Sequence, residues 1–227
     1  MTWVKICGMT NLEDALVAVD AGADAIGFVF YEKSPRCVSV ETAREIVAKL
    51  PESIEKVGVF VDADCDRMRE TAARVGLTAV QLHGDGSQLS LWDDALPAPE
   101  RVGVSKVISM LPGNALNRED SGVLISDRVK QKLFAVLVDN QINGSSGGTG
   151  APFDWDASQE MMLALSVMVP IILAGGLTES NVGHAMRMFQ PFGVDVASGV
   201  EARPGKKDPE KVRAFVKAVR EIDAKVS

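Results

Sequence analysis

The chain has 227 residues, of which 46% are hydrophobic and 24% charged, and a formal net charge of −7 at pH 7. This composition predicts one domain, residues 1–227, with a well-filled core. The acidic balance argues against a nucleic-acid partner, because neutralising phosphates requires a basic surface. No apolar run is long enough for a membrane span and no signal-peptide pattern opens the chain, so we expect a cytoplasmic protein with no membrane partner.

Cysteine and histidine spacing argues against a metal centre. Cys7, Cys37 and Cys65 contain no CxxC spacing, so neither a disulfide framework nor a zinc site is predicted. His83 and His184 are too far apart to form a local metal motif. We expect three reduced thiols and no metal.

Eight short apolar runs, each followed by a turn and a segment of helical period, organise the chain. They cover residues 4–7, 25–30, 56–61, 78–82, 102–108, 134–139, 170–175 and 194–198. This alternation is typical of an α/β protein with a parallel sheet, and eight units predict a single-domain (β/α)8 TIM barrel, whose usual length is ~250 residues. A doubly wound open sheet is the alternative, but residues 8–10 lack the GxGxxG turn of a dinucleotide site.

Capping signals mark the ends of several helices. Thr10 and Glu13 have the spacing of a capping box for the first helix, and Gly22 is suited to end it. Asp208 as N-cap and Pro209 in the first position predict the start of the last helix. Further helices are predicted over 40–50, over 64–75 and after Thr178.

Glycine-bearing turns after the last two predicted strands form a candidate phosphate site. In this type of barrel the active site lies at the C-terminal ends of the strands, and phosphate binds at the turns after strands seven and eight. Glycine lets backbone N–H groups approach an oxyanion closely. The candidate phosphate ligands are Gly175, Gly176, Ser198 and Gly199. A further turn, GGTG at 147–150, follows the sixth strand. Taken singly, such a turn is more often an ordinary tight turn than a ligand site, but two at the matching strand positions favour a phosphorylated ligand.

Cys7 ends the first predicted strand, at the expected mouth of the barrel. Period-2 alternation places Lys5 and Cys7 on the inward face of this strand. A buried lysine requires an anionic partner, and Asp195 on the adjacent eighth strand is suited to that role. A nearby cation favours a thiolate, so Lys5 is predicted to activate Cys7. The alternative, which we favour for Cys37 and Cys65, is a thiol that only fills the core.

Asp139 ends an otherwise apolar strand on roughly the opposite side of the mouth. A thiol and a carboxyl that face one ligand are suited to act as base and acid on it. Alternatively, Asp139 caps the next turn.

Three other positions have less specific signals. Arg36, in SPR after the second strand, offers a planar fork for a carboxylate, or else is a solvated loop arginine. His83 lies near the rim as a possible substrate contact or support. Lys206 and Lys207 are expected in a solvated loop before the last helix, where they could add positive potential near a phosphate.

The stretches KICGMT, GFVFYEKSPRCVS, VGVFVD, VQLHGD, VLVDN, GGTGAPFDWD, ILAGGL and VDVASGVEARPGKKD occur in this order over nearly the whole chain. Together they closely resemble the phosphoribosylanthranilate isomerase family of tryptophan biosynthesis. The resemblance implies a barrel that needs no cofactor and acts on a small phosphorylated substrate, as a monomer or homodimer. It implies an Amadori rearrangement of N-(5'-phosphoribosyl)anthranilate to 1-(2-carboxyphenylamino)-1-deoxyribulose 5-phosphate.

The resemblance also implies roles for individual residues. The cysteine of KICG, Cys7, corresponds to the general base, and the aspartate of VLVD, Asp139, to the general acid. Arg36 of SPR corresponds to the residue that holds the anthranilate carboxylate. The turns after strands seven and eight bind the phosphate, and Asp195 lies near the sugar hydroxyls.

Three alternatives stay open at this point. The histidine-pathway isomerase acts on a related amine but uses two aspartates, so Cys7 argues against it. Indole-glycerol phosphate synthase typically has an extension before its first strand, whereas the first strand predicted here begins by Trp3 or Val4, which argues against it. A non-catalytic barrel that binds a phosphometabolite would need Arg36 and the glycines but no pair of Cys7 and Asp139.

Overall fold

Eight parallel strands close into a barrel whose order follows the chain. The computed structural model describes residues 1–61, 63, 65–83, 106–112, 133–139 and 162–226. The strands are β1 (Trp3–Cys7), β2 (Ala25–Val29), β3 (Glu55–Val61), β4 (Ala79–His83), β5 (Lys106–Pro112), β6 (Ala135–Asp139), β7 (Ile171–Leu173) and β8 (Gly193–Val196). Because β8 pairs with β1, the predicted TIM barrel is confirmed and the open sheet is excluded.

Within the described ranges, five longer helices accompany the strands. They are α1 (Leu12–Ala21), α2 (Val40–Val47), α3 (Cys65–Val75), α4 (Val182–Phe189) and α5 (Pro209–Val226). Residues 162–166 are also helical. Between β8 and α5 the chain forms a short 3-10 helix (Ser198–Val200) and an antiparallel hairpin of β9 (Glu201–Arg203) and β10 (Lys206–Lys207). None of the helices in the described ranges combines the length and apolar character that a membrane span requires.

The last helix, α5, begins at Pro209 as predicted, whereas the N-cap of α1 differs from the prediction. Asn11, in extended conformation, is the N-cap of α1 and accepts from the N–H of Asp14 at 3.0 Å. The predicted box at Thr10 is therefore wrong by one residue, because the Thr10 hydroxyl instead donates to the carbonyl of Gly205. Gly22 ends α1 at φ 93°, a left-handed conformation that favours glycine, as predicted.

The predicted caps and strand bounds need two further corrections. Asn181, not Thr178, directly precedes α4, and its side chain accepts from the N–H of Thr178. β5 extends to Pro112, four residues beyond the end of the predicted run, because the apolar run continues to Leu111. Residues 102–105 lie outside the described residues, and Lys106 pairs with Ala79 of β4.

Alternation along the strands separates two apolar layers. One layer packs strand residues such as Val4, Ile6 and Val138 against the surrounding helices. The other lies inside the barrel and contains Ala25, Val57, Ala79, Ala135, Leu137, Ile172 and Ala174. Asp139 shares the strand face of Leu137, and His83 shares that of Ala79, so both lie on the inward face at the C-terminal ends of their strands.

The hairpin of β9 and β10 is anchored to the start of α1. Lys206 Nζ lies 2.6 Å from Asp14 Oδ1, and the N–H of Lys207 donates to Asp14 Oδ2 at 2.7 Å. The expectation of a solvated loop is wrong for Lys207, whose side chain is 1% exposed. Its ammonium is buried because Glu201 supplies an opposite charge 3.1 Å away.

Candidate active site

Lys5 and Asp195 form a buried ion pair beneath the mouth of the barrel. Their Cα atoms are partners in the pairing of β1 with β8, so both side chains point to the interior. Lys5 Nζ lies 2.9 Å from Asp195 Oδ1, and the lysine is fully buried. The anionic partner predicted for an inward lysine is therefore present.

Cys7 lies two residues beyond Lys5 on the same face and is almost entirely buried. Burial raises the pKa of its thiol above the ordinary value, because it penalises the charged thiolate. The positive charges of Lys5 and Lys207 lower the pKa, whereas Asp195 raises it. Lys5 thus acts on the pKa in the predicted direction, against the larger effect of burial, and the activation of Cys7 by Lys5 stays a prediction.

This balance predicts how the thiol titrates. Raising the pH removes its proton only near the raised pKa, so Cys7 should remain a neutral thiol at neutral pH in the free protein. We expect the midpoint of thiolate formation to lie above that of a free cysteine, measured by ultraviolet absorbance or iodoacetamide reactivity against pH. The Cys37→Ser, Cys65→Ser double variant leaves Cys7 as the only thiol, and a midpoint at or below the ordinary value would contradict the prediction.

Gly27 on β2 creates the space that Cys7 and Lys5 occupy. A Cβ on Gly27 would lie 2.8 Å from Cys7 Sγ and 3.1 Å from Lys5 Cε. Both distances are too short for an unstrained contact, so any larger residue would displace the thiol. The role of Gly27 was not predicted from the sequence, although a glycine inside an apolar strand is a signal for close approach.

Arg36 lies across the turn that follows Cys7. A Cβ on Gly8, which has φ 83°, would be 2.7 Å from Arg36 Cδ, so the arginine stem covers the glycine backbone. The guanidinium donates from Nε to Glu201 Oε1 at 2.8 Å and from Nη2 to Oε2 at 2.7 Å. The solvated alternative is therefore wrong, since the Arg36 side chain is only 15% exposed. Glu201 itself was not among the residues singled out from the sequence.

The two predicted phosphate loops contact each other. Gly175 and Gly176 have φ of 86° and 67°, so both adopt left-handed conformations that other residues rarely allow. Asn181 Nδ2 donates to the carbonyl of Gly176 at 2.9 Å and holds this turn. A Cβ on Gly199 would overlap the carbonyl oxygen of Leu177. The predicted residues on the two loops are therefore brought together.

This contact gives a testable consequence for Gly199. We expect Gly199→Ala to destabilise the fold by about 1–3 kcal/mol, because the overlap involves backbone and must be relieved by separating the loops. It should also weaken binding of inorganic phosphate. Gly183→Ala is a matched control, since its nearest neighbours lie 3.5 Å from the added carbon. Denaturant unfolding and calorimetric titration measure both effects, and equal results for the two variants would contradict the prediction.

The remaining candidates lie at the same mouth. Asp139 and His83 end β6 and β4 and are partly buried. Because all eight strands are parallel, their ends meet at the mouth that also contains Cys7. The GGTG turn at 147–150 lies outside the described residues. Within those residues, no three His, Cys, Asp or Glu side chains are grouped as a metal site.

Comparison with known proteins gives the family of this barrel. The family model of N-(5'phosphoribosyl)anthranilate (PRA) isomerase matches residues 4–218. The N-(5'-phosphoribosyl)anthranilate isomerase of Citrifermentans bemidjiense is 43% identical over 222 residues, which cover 98% of each chain.

Two solved structures agree in fold and in sequence. One is a phosphoribosyl anthranilate isomerase in complex with reduced 1-(o-carboxyphenylamino)-1-deoxyribulose 5-phosphate, at 37% identity and a TM-score of 0.76. The other contains monomers of the dimeric enzyme from Thermotoga maritima, at 36% identity and a TM-score of 0.76. Each covers 97% of this chain and 100% of its own. The chain therefore belongs to the N-(5'-phosphoribosyl)anthranilate isomerase family.

Proposed function

We propose that this chain converts N-(5'-phosphoribosyl)anthranilate to 1-(2-carboxyphenylamino)-1-deoxyribulose 5-phosphate in tryptophan biosynthesis, with Asp139 as general acid and Cys7 as general base. The activity is that of the family to which the chain belongs. It is an aldose–ketose isomerisation that moves protons only, so it requires no redox cofactor. The residue roles are the part that the proposal adds.

The proposed reaction has two proton transfers and a final tautomerisation. Asp139 donates a proton to the furanose ring oxygen, the bond from that oxygen to C1' breaks, and the nitrogen lone pair forms an iminium. The thiolate form of Cys7 then removes the proton from C2' and becomes a thiol, and the electrons of that C–H bond neutralise the iminium to give an enolamine. The enolamine tautomerises to the ketone, which balances atoms and charge. Residues at the ends of β1 and β6 suit this division because the strand order places them on roughly opposite sides of the barrel mouth.

Substrate positioning is assigned to three groups of residues. Arg36 binds the anthranilate carboxylate, and Gly175, Gly176, Ser198 and Gly199 bind the phosphate through backbone N–H groups. Asp195 lies near the sugar hydroxyls, with Oδ1 engaged by Lys5. His83 contacts or supports the substrate from the end of β4.

One observation supports the catalytic assignment most directly. Burial raises the pKa of the Cys7 thiol, but Cys7 shares its inward face with the ammonium of Lys5, whose charge opposes that effect and which is itself held by the Asp195 carboxylate. A barrel that only binds a phosphometabolite would need Arg36 and the glycines but no pair of Cys7 and Asp139. Once substrate brings a developing positive charge to the mouth, the thiolate becomes easier to form.

The test is turnover of phosphoribosylanthranilate generated in situ, followed by loss of its fluorescence. We expect the wild type to consume it and to leave the aminoaldose of the histidine pathway unchanged. A wild type that is folded but inactive on phosphoribosylanthranilate would refute the function. Turnover of the second compound would show a broader substrate range than proposed.

The remaining assignments complete the proposal. We infer a single catalytic domain over residues 1–227 that acts in the cytoplasm on a small phosphorylated molecule. The chain is inferred to be a monomer or homodimer, since the relative from Thermotoga maritima is dimeric and also forms monomers. Sedimentation at several concentrations distinguishes the two states.

A further inference from the structure

Glu201 is a buried carboxylate that none of the roles above explains. It is 7% exposed and begins β9, outside the strands of the barrel. Its oxygens accept from Arg36 Nε and Nη2, from Lys207 Nζ at 3.1 Å and from the N–H of Gly205 at 3.2 Å. Four donors converge on one side chain, so its position is tightly determined from several directions.

The hydrogen bonds to Glu201 use one edge of the Arg36 guanidinium and leave a second edge for another acceptor. A guanidinium is planar and carries five N–H donors in fixed directions. Nε and Nη2 form the edge bound to Glu201. Nη1, with the second hydrogen of Nη2, forms a different edge in the same plane. Among the described residues, none accepts a hydrogen bond from Nη1, so this edge can receive a second planar carboxylate.

Charge favours an anion at that edge. Arg36 and Lys207 contribute two positive charges and Glu201 one negative charge, which leaves an excess of one. Burial alone raises the pKa of Glu201, but the hydrogen bonds and charges of Arg36 and Lys207 hold it below its ordinary value. Glu201 is therefore ionised at neutral pH, and the excess positive charge lies at the site of lower burial, on Arg36.

We propose that Glu201 is a positioning residue that fixes the plane of Arg36, so that the second edge of the guanidinium receives the aryl carboxylate of the substrate. The inference rests on the carboxylate-binding role proposed for Arg36. Gly8 contributes by leaving room for the arginine stem, and Lys207 donates to Glu201 Oε1, the oxygen that also accepts from Arg36 Nε. The same edge would accept only a carboxylate close to this plane, which gives Glu201 a part in substrate selection.

The test measures whether Glu201 acts through the carboxylate of the ligand. Two inhibitors are compared by calorimetry: reduced 1-(o-carboxyphenylamino)-1-deoxyribulose 5-phosphate and its counterpart without the carboxyl group. We expect Glu201→Gln to weaken the first by about 10- to 100-fold, because a charge-assisted pair no longer orients Arg36. The second inhibitor should bind the variant as it binds the wild type.

Two further variants separate positioning from charge and from structure. Glu201→Asp keeps the charge but is one methylene too short to reach both nitrogens, so it should show the same selective loss. In an Arg36→Ala background, Glu201→Gln should cause no further loss. If the single variant Glu201→Gln does not fold, the double variant Glu201→Gln, Lys207→Met is used in its place, because it retains the net charge of the cluster.

Four outcomes would overturn the inference. Equal losses for both inhibitors would indicate a structural role, near wild-type binding by Glu201→Asp would indicate charge alone, and additive losses with Arg36→Ala would show that the two residues act separately. A wild type that binds both inhibitors equally would remove the role of Arg36 as well. The proposed function fails by a different result, the absence of turnover with phosphoribosylanthranilate.

Discussion

Replacing Cys7 by serine, or Asp139 by asparagine, is expected to lower kcat by about 10²- to 10⁴-fold, the range typical for loss of a general base or acid. A serine hydroxyl is far more difficult to ionise than a thiol, and an amide cannot donate the proton that opens the ring. KM should change little, because the phosphate loops and Arg36 are untouched. Steady-state rates from fluorescence loss provide the measurement.

A deuterium label at C2' tells the two variants apart. In Cys7→Ser, removal of the C2' proton should become rate-limiting, so a primary isotope effect on kcat is expected. In Asp139→Asn, ring opening should be limiting and the isotope effect should be close to one. Cys65→Ser, at the start of α3, is the matched control and should retain wild-type rates. A fully active Cys7→Ser, or the same isotope effect in both variants, would contradict the assigned roles.

The second large effect is expected from the ion pair inside the barrel. Lys5→Met should reduce the free energy of unfolding by about 3–5 kcal/mol, because it leaves the buried Asp195 without its partner. The double variant Lys5→Met, Asp195→Asn should recover much of this loss, since neither charge is then buried alone. Denaturant unfolding measures the difference. A single variant as stable as the double would show that the pair contributes no coupling.

The two single substitutions, Lys5→Met and Asp195→Asn, should shift the pKa of Cys7 in opposite directions. Lys5→Met removes a cation and should raise the pKa of the thiol, whereas Asp195→Asn removes an anion and should lower it. In the second case the thiolate itself replaces the lost partner of Lys5. Thiol titration is the suitable readout, because a pH–rate profile also reports the protonation of Asp139. Shifts of equal sign would contradict the electrostatic account.

Local pattern was sufficient for the barrel and for part of the site. Strand and helix periods predicted eight parallel strands, and alternation along β1 turned Lys5 and Cys7 inward. Adjacency of the first and last strands then predicted the partner of Lys5 as Asp195. These features depend on residues close in sequence or on strands that any closed barrel places side by side. The sequence pattern is therefore sufficient to predict them.

Tertiary structure alone decided how the loops at the mouth meet. Arg36 and Glu201 are 165 positions apart, and the hairpin that carries Glu201 has no periodic signal. The burial of Lys207 and the excess of burial over charge in the pKa of Cys7 likewise depend on which side chains surround each group. Sequence determined the barrel and the residue at the end of each strand. Desolvation and charge pairing, which exist only once distant loops come together, determined the state of those residues.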